Sequence, residues 1–135
     1  GTVLCGGNAI SQDGGWYVAP TVIADLPMSA RCCQEEIFGP VVVLHRFNDE
    51  AEALTLANDS DYGLAASVWT TNLARAHRIA SQLECGIVWI NTWMQRDLRT
   101  PFGGMKQSGY GREGGLDAMR FFTEPKTVCL GSEHG

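Results

Sequence analysis

The run VVVLHRF at positions 41–47 begins the stretch that decides the fold. It is rich in β-branched residues and predicts a strand. The elements that follow alternate: a helix at Glu50–Asn58, a strand at 64–69, a helix at 73–83 and a strand at Ile87–Ile90. Alternating strands and helices favour a parallel sheet with right-handed crossovers, so the predicted fold class is α/β.

The two helices of this stretch have recognisable starts and apolar faces. Asn48 or Asp49 can cap the first helix, and Asn72 can cap the second. The apolar faces are expected to comprise Ala51, Leu54 and Ala57 in the first helix and Leu73, Ala76, Ile79, Ala80 and Leu83 in the second. We expect the valine-rich strand at 41–47 to be buried on both faces, as in parallel sheets.

The flanking regions are less regular. Two strands, at 3–5 and 16–23, are predicted on either side of a loop rich in Gly, Asp and Ser. A long glycine-containing loop at 92–111 comes after the α/β stretch, and loops of such length in compact proteins are usually functional. A short helix near 113–121 and a terminal strand around 122–130 complete the pattern, and Pro125 favours an edge or a bulge there.

Composition and charge exclude several classes of function. The 135 residues include 44% hydrophobic and 19% charged residues, which is typical of a globular protein. The net charge of -5, without a basic stripe, disfavours a nucleic-acid partner. Five cysteines are an odd number without a CxxC pair, so they suggest neither a disulfide framework nor a zinc site. We therefore expect a cytoplasmic protein with no membrane partner and no metal.

Two glycine patterns imitate nucleotide-binding signatures and are better explained as turns. The segment 109–114 matches GxGxxG, but a loop precedes it and too few residues follow for a βαβ unit. The segment 104–109 has the GxxxxG spacing without the Lys-Ser/Thr that contacts phosphate and magnesium. None of the cysteines is a good candidate for a nucleophile, because none is predicted beside an activating base.

Three motifs carry a family resemblance. EEIFGP at 35–40, NTW at 91–93 and PFGGMKQSG at 101–109 together resemble the C-terminal part of the aldehyde dehydrogenase superfamily, over about residues 1–130. The resemblance implies that 1–111 is the end of a catalytic domain with a substrate loop at 92–111. It also implies that 112–135 holds a short helix and an oligomerisation strand of a homo-oligomer. The catalytic cysteine and the dinucleotide-binding domain would then lie upstream of Gly1, which itself stands where a complete chain would have Met.

The same resemblance implies roles in cofactor binding for two residues of the first motif. In this family the second glutamate, Glu36 here, accepts hydrogen bonds from the ribose hydroxyls of the nicotinamide half of NAD. A carboxylate suits a diol because its two oxygens can accept from two donors. Phe38 is similar to the ring that packs beside that ribose. From the residues alone, Glu36 would be interpreted as a solvated acid before a strand.

Arg96 is the clearest sign of the substrate class. RDLRT at 96–100 resembles the 2-aminomuconate and 2-hydroxymuconate semialdehyde dehydrogenases, whose substrates carry an acid group away from the aldehyde. The planar fork of arginine suits such a carboxylate. Trp93 and Phe102 could line the aldehyde pocket, although Trp93 could equally belong to the core. The alternative for Arg96 is an ion pair with Asp97 or a neighbouring acid on a solvated loop, and Arg99 is expected to be structural.

Two further functions stay open. The enzyme could oxidise a neutral or amino aldehyde, with Arg96 turned outward. The chain could also be a non-catalytic dimerisation fragment, although a ribose-binding motif and a substrate loop have no evident use in such a module. In every case the segment by itself is expected to be catalytically inert.

Overall fold

The computed structural model of the chain describes residues 1–131. These residues divide into two compact units. The first contains Gly1–Asp61 and Ser81–Leu83, and the second contains Tyr62–Ala80 and the residues from Glu84 on. Strands and helices occur in both units, which confirms the α/β class.

The first unit is built on a small mixed sheet. Its elements are β1 (Thr2–Cys5), β2 (Ala9–Gln12), β3 (Gly15–Val18), β4 (Thr21–Ala24), α1 (Arg31–Gln34), β5 (Val41–Leu44) and α2 (Glu50–Asn58). β4 lies in the middle of a three-stranded sheet, antiparallel to β1 and parallel to β5. β2 and β3 form a separate antiparallel hairpin.

The N-terminal strands differ from the prediction. The single strand expected at 16–23 is two strands, β3 and β4, and β2 was not predicted at all. Pro20 separates β3 from β4, since it has no N–H to continue a ladder. The hairpin follows from Asp13 and Gly14, whose φ angles of 51° and 73° fit a type I′ turn.

Helix α2 forms at the predicted bounds. Asp49 is its N-cap, and its side chain accepts a hydrogen bond from the amide of Glu52. The Glu52 carboxylate in turn accepts from the backbone and side-chain amides of Asn48. This reciprocal arrangement satisfies donors at the start of the helix and places acidic side chains at the positive end of its dipole.

The second unit contains a parallel pair of strands joined by a helix. Its elements are β6 (Tyr62–Gly63), β7 (Ala65–Val68), α3 (Leu73–Gln82, whose last two residues belong to the first unit), β8 (Ile87–Ile90), β9 (Met105–Lys106) and α4 (Gly115–Phe122). β7 and β8 pair in parallel, as the strand-helix-strand pattern predicts. Asn72 caps α3 through its Oδ1, which accepts from the amide of Arg75.

The strands predicted for one parallel sheet belong to two sheets. β5 pairs with β4 and β7 pairs with β8. Val42 and Leu44 are about half exposed, at 50% and 48%, so the expectation that this strand is buried on both faces is wrong for the described residues. Pairing partners are fixed by contacts distant in sequence, which a local apolar run does not specify.

Few large side chains are buried in the described part of the chain. The buried residues include Ala76 on α3 and Trp89 on β8. Leu73, which was expected on the inner face of α3, is 72% exposed because it lies at the first position of that helix. Trp89 therefore provides the apolar anchor of the second unit next to the substrate loop.

The C-terminal region also departs from the prediction. Helix α4 extends through Phe122, and residues 123–131 contain neither helix nor strand in the single chain, so the oligomerisation strand expected around 122–130 is not confirmed. A strand requires ladder hydrogen bonds, and no segment of residues 1–131 pairs with this stretch. The remainder of the predicted 112–135 region, residues 132–135, lies outside the described residues. No described helix is long and apolar enough to cross a membrane.

Candidate functional site

The substrate loop begins against the buried end of β8. Trp93 packs edge-on against Trp89, with ring centroids 5.1 Å apart and planes at 63°. The indole N–H of Trp89 donates to the carbonyl of Gln95 over 2.7 Å. Trp93 itself is 62% exposed, so of the two tryptophans Trp89 is the core residue. This anchoring fixes the loop from its first residues.

Arg96 lies between an aromatic ring and a carboxylate. Its guanidinium carbon is 4.1 Å from the centroid of the Phe102 ring, a cation–π arrangement. Its Nη2 donates to Oε1 of Glu113 in a short charge-assisted hydrogen bond. The side chains of Arg96 and Glu113 are 41% and 63% exposed, so solvent reaches both partners.

A backbone bridge explains why these groups meet. Phe102 and Glu113 face each other in an isolated antiparallel bridge, in which each amide donates to the other residue's carbonyl, over 2.8 and 2.7 Å. The bridge holds the backbones of Phe102 and Glu113 side by side, so the two side chains start from neighbouring positions. Arg96 reaches both from the loop. The structure thus joins Arg96 and Phe102, both predicted from sequence, with a residue that the sequence did not indicate.

The neighbouring acid has a different partner. Asp97 accepts hydrogen bonds from Nε and Nη2 of Arg99 and from the Arg99 amide. Hydrogen bonding from the Arg99 side chain lowers the pKa of Asp97, and the same contact raises the pKa of Arg99. Arg96 thus forms its ion pair with Glu113 and not with Asp97. Arg99 is the residue that pairs with Asp97.

An open cavity of about 660 Å³ adjoins the loop. Its lining consists of Trp89, Gln95, Arg96, Asp97, Leu98 and Thr100. Of the three predicted substrate residues, Arg96 lines the cavity, whereas Trp93 and Phe102 are not among its lining residues. Trp89 and Leu98 give the cavity apolar surface, while Arg96 and Asp97 give it a cationic and an acidic group. Asp97 is paired with Arg99, so the guanidinium of Arg96 is a candidate contact for a ligand that has a carbon chain and an acid group.

The predicted cofactor residues lie in the first unit, in the loop after α1. Glu35 is engaged by Arg31, whose Nε and Nη2 donate to its two carboxylate oxygens over 2.8 Å each. This hydrogen bonding lowers the pKa of Glu35. Glu36, the second glutamate, is exposed. Of the two adjacent acids, Glu35 is therefore paired with Arg31, whereas Glu36 is exposed to solvent.

Phe38 adopts an unusual backbone conformation. Its φ of 53° lies in the left-handed region, which bulky L-residues rarely adopt. Its side chain is 93% exposed, so no packing within the described residues compensates for the strain. Strained, exposed residues tend to occur at binding sites. The conformation is therefore consistent with a ring that is presented to a ligand.

Among residues 1–131, the cysteines whose pKa is shifted have it raised rather than lowered. All five are free. Burial raises the pKa of the Cys33 thiol, with a further contribution from Cys32, and burial raises that of Cys85. Cys33 Sγ is 3.5 Å from Nε2 of His45, yet its raised pKa favours the thiol over the nucleophilic thiolate. Among residues 1–131, no group of three or more His, Cys, Asp or Glu side chains could hold a metal ion.

Comparisons with known proteins give a consistent result. The family model described as "Aldehyde dehydrogenase family" matches residues 1–128 of this chain. A 2-hydroxymuconic semialdehyde dehydrogenase of Pseudomonas sp. (strain CF600) is 51% identical over 133 residues, covering 96% of this chain and 27% of the relative. A betaine aldehyde dehydrogenase of Sinorhizobium fredii is 48% identical over 124 residues, covering 92% and 25%.

A solved structure shares the fold as well. A mutant of the P. syringae indole-3-acetaldehyde dehydrogenase AldA, in complex with NAD+ and IAA, has a TM-score of 0.88 and 46% identity to this chain. The match covers 94% of this chain and 26% of that chain. The present chain thus spans about a quarter of the length of the relatives that it matches.

Proposed function

The chain belongs to the aldehyde dehydrogenase family, and on this premise we propose that it is the C-terminal segment of an NAD-dependent enzyme that oxidises an acid-bearing semialdehyde. The substrate would be 2-hydroxymuconate or 2-aminomuconate semialdehyde, and the product its carboxylic acid. The segment would supply contacts to cofactor and substrate. A cysteine elsewhere in the full-length protein would add to the aldehyde to give a thiohemiacetal, which would become a thioester on loss of a hydride to NAD and release the acid on reaction with water. Alone, the segment is expected to be inactive.

The position of Arg96 carries the substrate assignment. Arg96 lines the cavity together with Trp89, and its guanidinium carbon lies over the Phe102 ring, 4.1 Å from the centroid. An arginine fork has five N–H donors, and Glu113 receives one hydrogen bond from it. Donors are therefore left for a substrate carboxylate, and the semialdehyde chain would extend along the apolar surface. The 51% identity to a 2-hydroxymuconic semialdehyde dehydrogenase supports the same assignment.

The cofactor assignment depends on Glu36 and Phe38. Glu36 presents two acceptor oxygens on an exposed loop, which is the chemistry needed to bind a ribose diol. Phe38 presents its ring two residues later. These residues fit the nicotinamide half of NAD, which accepts a hydride from the substrate when it is bound. A homo-oligomer, a cytoplasmic location and a boundary between residues 111 and 112 remain predictions from the sequence.

The Arg96→Leu variant of the full-length protein tests this proposal. With 2-hydroxymuconate semialdehyde as substrate and NADH formation as the readout, we expect kcat/KM to fall about tenfold to a thousandfold, as when a charged contact to substrate is lost. Arg99→Leu is the matched control, because it removes an arginine of the same loop that is paired with Asp97. We expect it to change kcat/KM less than about threefold. Equal activity of wild type and Arg96→Leu would refute the acid-aldehyde assignment.

One observation favours a second candidate. Glu113 compensates the charge of Arg96, so the cavity also suits a neutral or amino aldehyde. The identity to a betaine aldehyde dehydrogenase, 48%, is almost as high. Under this alternative, a neutral aldehyde would be oxidised faster than the acid substrate, and the rate would survive the Arg96→Leu change. Measuring both substrates with the same two proteins separates the candidates.

A further inference from the structure

Glu113 contacts Arg96, which lines the cavity, although none of the three family motifs includes Glu113. Its carboxylate contacts the guanidinium of Arg96, and its backbone is bridged to Phe102, the ring beneath that guanidinium. Two constraints therefore act on Arg96 from a single pair of bridged residues. The ring lies beneath the guanidinium carbon, and the carboxylate accepts a hydrogen bond from Nη2.

The other acid of the loop does not share this contact. Asp97 is held by Arg99 through side-chain and backbone hydrogen bonds. The carboxylate that the structure places on Arg96 is that of Glu113. Any effect of an acid on the orientation of Arg96 can therefore be tested at Glu113.

We propose that Glu113 is a positioning residue, which orients the Arg96 fork toward the carboxylate of the substrate. This inference rests on the acid-aldehyde function proposed above and adds a determinant of its specificity. Free arginine side chains have large rotamer entropy, and part of that entropy is lost when a ligand fixes the guanidinium. A fork already held by Glu113 and Phe102 loses less on binding, so the substrate binds more tightly.

Glu113 has one opposing effect, because its negative charge repels the carboxylate of the substrate. That repulsion is screened, since Glu113 is 63% exposed and the charge of Arg96 would offset both acids in the proposed complex. Screening also limits the attraction of an exposed ion pair. Orientation by a hydrogen bond survives screening better than a bare charge interaction does, so we expect the positioning effect to prevail.

The experiment is a double-mutant cycle in the full-length protein, with kcat and KM measured on 2-hydroxymuconate semialdehyde. We expect Glu113→Ala to raise KM about two- to fivefold, the size of an exposed charged contact, with a smaller effect on kcat. Glu113→Gln should restore most of the affinity, because its amide oxygen still accepts from Arg96. In the Arg96→Leu background, Glu113→Ala should have no further effect on KM.

A matched control comes from the same unit. Glu84 forms an ion pair with Lys106 over 2.8 Å. Although Lys106 belongs to the loop at 92–111, neither residue lines the cavity or contacts Arg96, so Glu84→Ala should leave KM unchanged. Folding of all variants is checked by thermal melting. The bridge to Phe102 uses only backbone atoms of residue 113, so Glu113→Ala and Glu113→Gln can both form it.

Three results would overturn the inference. A KM that falls in Glu113→Ala would show that Glu113 competes with the substrate, and an unchanged KM would show that it does not act on binding. An equal effect of Glu113→Ala with and without Arg96 would show that it acts independently of the arginine. If Arg96→Leu itself has no effect, the proposed function fails first, which is distinguishable from a failure at Glu113 alone.

Discussion

The loop at 35–40 and the segment 92–104, which is the part of the 92–111 loop before β9, present their candidate binding residues in opposite ways. In the first, Glu36 and Phe38 are exposed, and Phe38 has a strained backbone. In the second, Arg96 is held by an aromatic ring and by a carboxylate from a distant part of the chain. The candidate residues of the first loop are thus exposed one by one, whereas the orientation of Arg96 in the second depends on its contacts with Phe102 and Glu113.

This difference determines how each loop should respond to mutation. A group that acts alone can be removed without disturbing its neighbours, so its loss should appear only in ligand binding and reaction rate. A group in a network is coupled to its partners, and single substitutions should be non-additive. The predictions below use this contrast, and the largest expected effect comes first.

Glu36→Gln tests the loop whose residues act alone. In the full-length protein we expect hydride transfer to slow about tenfold to a hundredfold, because charged hydrogen bonds to the ribose are lost. Binding of the adenosine half of NAD should be unchanged, as measured by titration with AMP. Glu35→Gln is the matched control, since Glu35 is engaged by Arg31. Equal slowing in both variants would contradict the distinction between the two acids.

Phe38 allows ring and backbone effects to be separated. Glycine adopts a φ of 53° freely, whereas alanine does not, so Phe38→Gly should be more stable than Phe38→Ala by about 1 kcal/mol. Both variants lack the ring and should bind NAD more weakly than wild type. Urea unfolding and cofactor titration check the two statements. If alanine proved as stable as glycine, the backbone at this position would not be strained in the full-length protein.

The smallest effect is expected for the Asp97–Arg99 pair of the second loop. The pKa of Asp97 is lowered by Arg99, so the pair stabilises the folded state above the ordinary aspartate pKa of about 3.9. That stabilisation is lost as the pH falls through the lowered value. The stability difference between wild type and Arg99→Leu should therefore be present at neutral pH and shrink in acid. A difference that stays constant down to the lowest pH at which the protein folds would argue against the pair.

Local elements were predictable from the sequence, and pairings were not. The bounds of α2 and β8 and the caps Asp49 and Asn72 follow from signals within a few residues. The β2–β3 hairpin also has a local signal, because Asp13-Gly14 is typical of a two-residue type I′ turn. The parallel partner of β5 is β4, a segment distant in sequence. The strand expected at 122–130 was predicted to pair with another subunit, and it is not confirmed in the single chain.

The candidate site divides in the same way. Glu36, Phe38 and Arg96 could be proposed from motifs, because each stands at a fixed place in a short pattern. Glu113 could not, since its contact with Arg96 arises from a bridge between Phe102 and a residue 11 positions later. No periodicity or spacing rule specifies such a bridge. Partners of this kind become visible only in the folded chain.

The central claim is that Arg96 selects an acid-bearing aldehyde, and a specificity ratio tests it most directly. The ratio is kcat/KM for 2-hydroxymuconate semialdehyde divided by kcat/KM for its methyl ester, measured for full-length wild type and Arg96→Leu. We expect wild type to prefer the acid by about tenfold or more and Arg96→Leu to bring the ratio close to one. A ratio that is the same in both proteins would contradict the account, because the arginine would then not distinguish the acid from the ester.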